Sequence, residues 1–226
     1  MNGILLIDKP KGWTSFDVVA KVRGMVKQAT GIKRPKVGHA GTLDPLATGL
    51  LIILVGDYCK RAQEYSKLDK IYEVELKLGE TSTTDDAEGE ITKISGKNPS
   101  KDEVLAAIDS FVGDIEQIPP IYSAIKIDGK RAYKLAREGQ QPEMKSRTVT
   151  VHSITNIDYK YPFISFTTEV SSGTYIRSLA RDIGEKLTTG AYMTDLNRTS
   201  IGSYSINNSS QIEHLDLDKC IITAII

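Results

Sequence analysis

The strongest constraint on the fold is an uninterrupted apolar run, LLIILV at residues 50–55, which directly follows a glycine-rich loop. Six residues are too few to cross a membrane, which takes about 20. The run has no polar alternation, which is typical of a strand buried on both faces. The loop, residues 38–49, reads GHAGTLDPLATG. Pro45 holds the preceding residue in an extended conformation, so Asp44 is predicted to stand on a stiff corner beside the core.

Patterns elsewhere in the chain predict both strands and helices. Residues 72–78 alternate, with Tyr72 on the apolar face, and residues 164–170 alternate in the same way. Thr14 or Ser15 is a helix cap, and residues 100–103 form a capping box. Because strands and helices follow no regular βαβ period, we predict an α+β fold with an extended mixed, largely antiparallel sheet flanked by helices.

Length and composition exclude several classes of protein. The 226 residues are 40% hydrophobic and 26% charged, which suits one ordinary globular domain. The two cysteines, Cys59 and Cys220, are too few and too far apart for a disulfide framework and fit a reducing cytosol. Three histidines without clustered cysteines argue against structural zinc. The amino terminus does not have the features of a signal peptide, and we expect a cytoplasmic protein.

The charges are segregated along the sequence although their sum is zero. Residues 1–72 carry 12 basic and 6 acidic side chains, and residues 73–120 carry 4 and 12. Such segregation permits one basic face, as contact with nucleic-acid phosphates requires, although folding can also mix the segments. The basic stretch 27–36 is either a solvated loop or a phosphate contact. The acidic loop 79–89 fits no calcium-binding spacing, and its Asp85, Asp86 and Glu88 are expected to be solvated.

A second segment, GTYIR at residues 173–177, precedes a predicted helix with an apolar stripe from Ile176 to Leu187. Arg177 lies in the first turn and off this stripe. A cation there opposes the helix dipole, so a carboxylate is needed to compensate it. Such an unfavourably placed charge is expected where function overrides stability.

The loop GHAGTLDPLATGLL, the segment KIY at residues 70–72 and the segment GTYIR closely resemble motifs of the TruB family, the tRNA pseudouridine synthases that modify the T-loop uridine. The opening strand with its DKP turn fits the same family. The resemblance implies a pseudouridine-synthase fold in which Asp44 is the nucleophile, Tyr72 is an active-site tyrosine and Arg177 pairs with Asp44.

Further residues take roles from the resemblance alone. His39 is expected to occupy the place vacated by a flipped base, although a loop-stabilising role is an equal alternative. Tyr175 and Leu196 are expected to line the uracil pocket, and Lys60 to contact a phosphate or the pocket. Residues 121–148 correspond to an RNA-gripping insertion, where basic side chains and tyrosines suit unpaired RNA. The sequence ends before the C-terminal PUA domain of most bacterial members, so a single catalytic domain without it is expected.

The implied reaction isomerises tRNA uridine 55 to pseudouridine by base flipping and needs no cofactor or metal. A carboxylate can both attack and leave, as it does in glycosidases, and attack at C6 of uracil or at C1′ of ribose remains open. The expected partner is the T-stem loop of tRNA, with no membrane and a monomeric enzyme. The alternatives are a non-catalytic RNA-binding module, another RNA target, and a hydrolase using Asp44 and His39.

Overall fold

The structure is a computed structural model that describes residues 1–217. Cys220 lies outside the described residues, and Cys59 is a free thiol. The described strands are, in chain order, β1 (Gly3–Lys9), β2 (Val37–His39), β3 (Thr48–Val55), β4 (Lys70–Leu78), β5 (Glu80–Ser82), β6 (Ile91–Lys93), β7 (Gly113–Gln117), β8 (Lys126–Ile127), β9 (Lys130–Arg131), β10 (Arg147–Lys160), β11 (Phe163–Val170), β12 (Ala191–Ile201), β13 (Tyr204–Ser205) and β14 (Ser210–Gln211).

The α-helices of the same residues are α1 (Ser15–Thr30), α2 (Ala62–Ser66), α3 (Lys101–Asp109), α4 (Ala132–Arg137) and α5 (Ile176–Lys186). Short 3₁₀ helices cover Gly56–Arg61, Ile206–Asn208 and Ile212–His214. The chain divides into two compact units. Unit 1 contains residues 1–73 and the chain from residue 196 onward, and unit 2 contains residues 74–195.

Unit 1 is built around strand β3, as the apolar run predicted. Residues 50–55 are at most 1% exposed. β1 pairs antiparallel with β3 along one edge, and β2 and β12 pair with it along the other, β12 in parallel. Alternate residues of β3 enter two separate apolar clusters, one against helix α1 and one against Tyr58 and Tyr65. The prediction of a central strand buried on both faces is confirmed.

Helix α1 begins and ends as its sequence requires. The Thr14 side chain accepts from the Asp17 backbone N–H, and Asp17 accepts from the Thr14 backbone in return, which is a complete capping box. Gly31 ends the helix in the left-handed conformation, with φ of 72°. The apolar side is buried, with Val18 and Val22 at 0% exposed. This side of the helix covers one face of β3.

Unit 2 contains an antiparallel set of strands, in which β10 pairs with both β7 and β11. The predicted alternation of β11 is confirmed, because Ile164, Phe166, Thr168 and Val170 are all buried. Ser100 caps helix α3 with the predicted capping box. Helix α5 begins at Ile176, and its predicted stripe of Ile176, Leu179, Ala180, Ile183 and Leu187 is buried.

The mixture of parallel and antiparallel pairs, together with the packed helices, confirms the predicted α+β class. The insertion at residues 121–148 contains the hairpin β8–β9 and helix α4. Its role in gripping RNA, and the assignment of the chain to a single catalytic domain, stay predictions. Within residues 1–217, no helix is both long enough and apolar enough to span a membrane.

The close approach of strands β3 and β12 makes Gly49 indispensable. Its φ is 101°, and an added Cβ would lie 2.4 Å from the Arg198 carbonyl oxygen and 2.4 Å from the Asn197 side-chain oxygen. We expect Gly49→Ala to lower the free energy of unfolding by about 2–4 kcal/mol, because the backbone strain at positive φ and the overpacking by the added methyl group both destabilise the folded state. Gly24→Ala, in open space on helix α1, should raise it by about 0.5–1 kcal/mol. Urea unfolding measures both, and equal stabilities would contradict the prediction.

Candidate active site

The loop that carries Asp44 is fixed by hydrogen bonds on either side of the carboxylate. The buried Ser15 hydroxyl donates to the Leu43 carbonyl at 3.0 Å and accepts from the Leu43 N–H at 2.8 Å. The Gly12 N–H donates to the Pro45 carbonyl at 2.8 Å. Asp44 itself is half-buried, and its carbonyl accepts from a backbone N–H three residues later. The structure therefore presents Asp44 on a rigid, partly accessible corner, as the sequence predicted.

A buried arginine that the sequence analysis did not single out also holds this loop. Arg198 of strand β12 is 1% exposed. Its Nε donates to the Leu50 carbonyl at 2.8 Å, and its two terminal nitrogens donate to the carbonyls of Thr42, at 3.3 Å, and Gly41, at 3.2 Å. The guanidinium thus contacts the loop on both sides of Asp44.

His39 lies at the end of strand β2, at the start of this loop, and is half-buried. Burial lowers the pKa of its imidazole, the Gly41 backbone opposes that shift, and the positive charge of Arg198 adds to it. The neutral imidazole is therefore favoured at neutral pH. The predicted contact with substrate stays a prediction.

Tyr72 and Leu196 lie on the neighbouring strands β4 and β12, and each is 7% exposed. Hydrogen bonds join the strands on both sides of Tyr72: Thr199 donates to the Ile71 carbonyl at 3.3 Å, and Asn197 donates to the Glu73 carboxylate at 2.9 Å. Unit 1 therefore brings the strands of Tyr72 and Leu196 side by side.

The same strands are tied to the end of the Asp44 loop. The Thr48 hydroxyl, on the first residue of β3, lies 3.5 Å from the Leu196 carbonyl, and β3 pairs with β12 from this residue onward. Asp44, His39, Tyr72 and Leu196 are thus carried by connected elements of one compact unit.

Lys70 begins the KIY segment and is 6% exposed. Its ammonium donates to the carbonyls of Ser66 and Leu68. Burial and, less strongly, the nearby charge of Arg198 lower its pKa to about 8, while Asp69 opposes the shift. Strand β4 therefore begins with a buried lysine that loses its proton at a lower pH than an ordinary lysine does.

Lys60 differs from the other predicted site residues of unit 1. Its side chain is 72% exposed and pairs with Asp57 at 3.1 Å. Such an exposed pair leaves the ammonium accessible to a polyanion. Its predicted contact with phosphate or with the pocket stays a prediction.

In unit 2, Arg177 is 5% exposed and pairs with Asp86, itself 2% exposed, at 3.4 Å. Arg177 also donates to the carbonyls of Thr84, at 3.1 Å, and Tyr122, at 2.9 Å. Asp86 supplies a carboxylate of the kind that a cation at the start of helix α5 requires. The predicted pairing of Arg177 with Asp44 stays a prediction.

The expectation that the acidic loop is solvated is wrong for Asp85 and Asp86. Asp85 pairs with Arg181 of helix α5 at 3.1 Å, and burial raises the pKa of its carboxyl group against the opposing charge of that arginine. Asp86 accepts from the Glu88 N–H at 3.0 Å and from the Thr84 hydroxyl. The loop is folded onto the arginines of helix α5. In the sequence, the signal for a buried carboxylate was the need for a negative charge to compensate Arg177.

Tyr175 is the residue that precedes helix α5, and a fully buried glutamine fixes its backbone. The Tyr175 N–H donates to the Gln117 side-chain oxygen at 2.8 Å, and the Gln117 amide donates to the Tyr175 carbonyl at 3.1 Å. The Arg147 guanidinium lies over the tyrosine ring, 4.8 Å from its centroid, and donates to the Gly173 carbonyl. Neither Gln117 nor this stacking was predicted from the sequence.

The described residues contain no group of three or more His, Cys, Asp or Glu side chains that could hold a metal ion. The polar side chains described above are those of acid–base and nucleophilic chemistry: a half-buried carboxylate, a buried tyrosine, a neutral histidine and a buried arginine–carboxylate pair.

Comparison with known proteins identifies the family. Residues 27–176 match the N-terminal domain of the TruB family of pseudouridylate synthases, and residues 177–223 match the tRNA pseudouridylate synthase B C-terminal domain. The fold is that of the pseudouridine synthases, which are isomerases, as predicted. The chain belongs to the TruB family.

Two curated relatives illustrate the similarity. The tRNA pseudouridine synthase B of Clostridium kluyveri is 47% identical over 219 residues, which cover 97% of this chain and 74% of the relative. That of Phocaeicola vulgatus is 45% identical over 211 residues, which cover 93% of this chain and 90% of the relative. The sequence is thus aligned almost throughout.

Solved structures show the same fold. A crystal structure of a Cbf5–Nop10–Gar1 complex contains a chain with a TM-score of 0.69 and 27% identity over 94% of this chain. An H/ACA ribonucleoprotein bound to a substrate RNA containing 2′-deoxyuridine gives a TM-score of 0.68 at 25% identity, also over 94%. The chain spans about half the length of these two structures' chains, at 53% and 52%.

The Arg177–Asp86 pair leads to a stability prediction. We expect Asp86→Asn to lower the free energy of unfolding by about 3 kcal/mol, because it removes a buried carboxylate charge that pairs with the buried Arg177 guanidinium. Asp158→Asn is the matched control, since Asp158 pairs with Lys160 at the exposed surface and should matter little. Urea unfolding compares the two variants, and an Asp86→Asn protein as stable as the control would contradict the prediction.

Lys70 leads to a pH prediction. Between pH 8 and its ordinary pKa of 10.5, the folded state has lost the lysine proton while the unfolded state still binds it. Unfolding then takes up a proton, so stability rises with pH. The free energy of unfolding of the wild type, minus that of Lys70→Met, should rise by about 3 kcal/mol from pH 7.5 to 10.5. A difference that stays constant with pH in urea titrations would refute it.

Proposed function

We propose that this protein is a tRNA pseudouridine synthase that converts the T-loop uridine, position 55 of tRNA, to pseudouridine with Asp44 as the nucleophile. The coarser activity, isomerisation of uridine in tRNA, rests on the family and on curated relatives of 42–47% identity, all named tRNA pseudouridine synthase B. The finer claims rest on the residues described above and on their chemistry.

The reaction exchanges one bond to the ribose for another. The bond between N1 of uracil and C1′ breaks, the base turns, and a bond between C5 and C1′ forms. The proton on C5 is released and N1 gains one, so atoms and electrons balance without oxidant or reductant. The step needs a nucleophile that can also leave, and a carboxylate meets both requirements.

The observation that carries the proposal is the fixed corner around Asp44. Hydrogen bonds to Leu43 and Pro45 hold the main chain on both sides of the carboxylate, while the residue itself stays half-buried. A nucleophile held in this way loses little further freedom when substrate binds, which lowers the barrier to attack. A loop that served only as a turn would not need this many long-range contacts.

The other predicted catalytic residues have matching properties. Tyr72 is almost fully buried, and a phenol at such a position can stack on a base and relay a proton. Arg177 is buried and is already fixed by Asp86 and two carbonyls, so it can act as a preorganised positive charge. We assign it to the Asp44 carboxylate in the complex with RNA.

A nucleophile on a rigid corner cannot reach a base stacked inside a folded loop. The uridine must therefore leave the stack, and base flipping follows. We assign Leu196 and Tyr175 to the walls of the uracil pocket and the neutral His39 to the space that the base vacates. Lys60, exposed on unit 1, is assigned to a phosphate.

The insertion at residues 121–148 is suited to the RNA backbone. Lys126, Lys130 and Arg131 are exposed in its hairpin, and the Arg137 guanidinium lies 5.7 Å from the centroid of the Tyr133 ring. Exposed cations beside aromatic rings bind phosphates and unpaired bases. We assign the binding of the T-stem loop to this surface. We also propose that the enzyme is a monomer.

The test is tritium release from a tRNA transcript labelled at C5 of uracil, with wild type and Asp44→Asn in parallel. We expect release by the wild type and a loss of more than about 10⁴-fold in the variant, because the nucleophile is removed while its shape is kept. A transcript with cytidine in place of the T-loop uridine should release no tritium attributable to that position.

Other outcomes separate the alternatives. Binding of tRNA without release by the wild type would favour a non-catalytic RNA-binding module. Release that persists with the cytidine transcript would favour another target uridine. Full activity of Asp44→Asn would reject the assigned nucleophile.

A further inference from the structure

Arg198 is the largest fully buried side chain outside the predicted set of site residues. Its guanidinium donates to three backbone carbonyls, those of Gly41, Thr42 and Leu50. Two of these carbonyls precede Asp44 by two or three residues, and the third begins the apolar part of β3. One side chain therefore connects the segment just before Asp44 to the strand that follows the loop.

The same loop is also attached to the backbone of Arg198. Strands β3 and β12 are parallel here, with Gly49 opposite Arg198 and Thr48 opposite Asn197. Gly49 allows this approach because it has no Cβ. The loop is thus fastened to one residue of β12 through both main chain and side chain.

Stability alone does not explain an arginine at this position. Burying a cation costs several kcal/mol unless a carboxylate offsets it, and no carboxylate within residues 1–217 forms an ion pair with Arg198. Strand β12 buries apolar side chains elsewhere on the same face, so an apolar residue would satisfy packing. Such a residue would leave the carbonyls of Gly41 and Thr42 without these donors.

Arginine has the geometry that the loop requires. Its planar fork presents several N–H donors in fixed directions, whereas lysine has a single nitrogen on a flexible chain. A lysine at 198 could reach the carbonyl of Leu50 or those near Gly41, but not both groups in the observed arrangement. Replacing arginine by lysine therefore keeps the charge and removes the connection.

We propose that Arg198 is a positioning residue for catalysis, which holds the Asp44 carboxylate in its reactive place by binding the main chain on both sides of it. The proposal rests on the proposed function, since it takes Asp44 as the nucleophile. Arg198 does not touch the reacting atoms. Its effect is on the rate of the chemical step and not on the binding of RNA.

The test compares Arg198→Lys with Arg23→Lys. Arg23 lies in the same unit and also donates to a backbone carbonyl, that of Val37 at 2.9 Å, but this carbonyl lies in strand β2, before the loop begins. Single-turnover tritium release is measured with saturating enzyme, and RNA affinity is measured separately. We expect Arg198→Lys to react about 10–100-fold more slowly with a Kd for RNA within about threefold of wild type, and Arg23→Lys to match wild type in both.

Hydrogen exchange of the free protein gives a readout that does not depend on activity. Arg198→Lys should accelerate amide exchange within residues 38–50 and leave strands β10 and β11 at wild-type rates. Should Arg198→Lys unfold at the assay temperature, Arg198→Gln is measured in its place, below its own melting temperature. A structural role alone would raise exchange throughout unit 1 and lower stability without slowing the folded enzyme.

The outcomes distinguish this proposal from the proposed function. Wild type without release, or an active Asp44→Asn, refutes the function and its nucleophile. The positioning role alone is refuted if the wild type is active, Asp44→Asn is inactive and Arg198→Lys reacts at the wild-type rate. A loss of rate explained wholly by weaker RNA binding also refutes it.

Discussion

Burial of strand β3 on both faces is the constraint on which unit 1 depends. Its six apolar residues enter two clusters on opposite faces, and each fully buried aliphatic side chain contributes about 1.5–3 kcal/mol. A strand so deeply fixed cannot shift in register, because a slip of one residue would exchange its faces. The loop before it therefore ends at a fixed point, and Asp44 is positioned relative to the core.

Three polar side chains are buried close to this apolar framework, and each is hydrogen-bonded in a specific way. Ser15 contacts both backbone groups of Leu43. Lys70 donates to two carbonyls at the end of helix α2 and just beyond it, and Arg198 donates to three. Buried polar groups are tolerated only when they are hydrogen-bonded, so these contacts make the local structure unique. The loop and the strands around it are specified by polar contacts as much as by packing.

Much of the fold could be predicted because its signals are local. The run at β3, the alternation of β4 and β11, and the caps at Thr14 and Ser100 all depend on neighbours in sequence. Asp86 could not be placed in this way, because a turn-rich acidic loop is usually solvated and its arginine partner lies 91 positions away. The number of residues between them carries no information about their contact.

The alternation of side chains along a strand gave a signal for the two buried cations, Lys70 and Arg198. Lys70 has the same parity as Tyr72, and Arg198 has the same parity as Leu196, so each shares a buried face with a predicted site residue. A charged residue on a buried face of a strand indicates a polar partner that is distant in sequence. The pattern therefore pointed to unusual residues, while their carbonyl partners required the structure.

The two buried arginines meet the cost of burial in opposite ways, and the difference has an electrostatic consequence. Arg177 pairs with a buried carboxylate, that of Asp86, whereas Arg198 donates to backbone carbonyls, whose dipoles stabilise its charge. Burial is the largest cause of the lowered pKa of both His39 and Lys70, and the charge of Arg198 adds to it. A neutral histidine can pack against other rings and exchange hydrogen bonds without attracting a phosphate group.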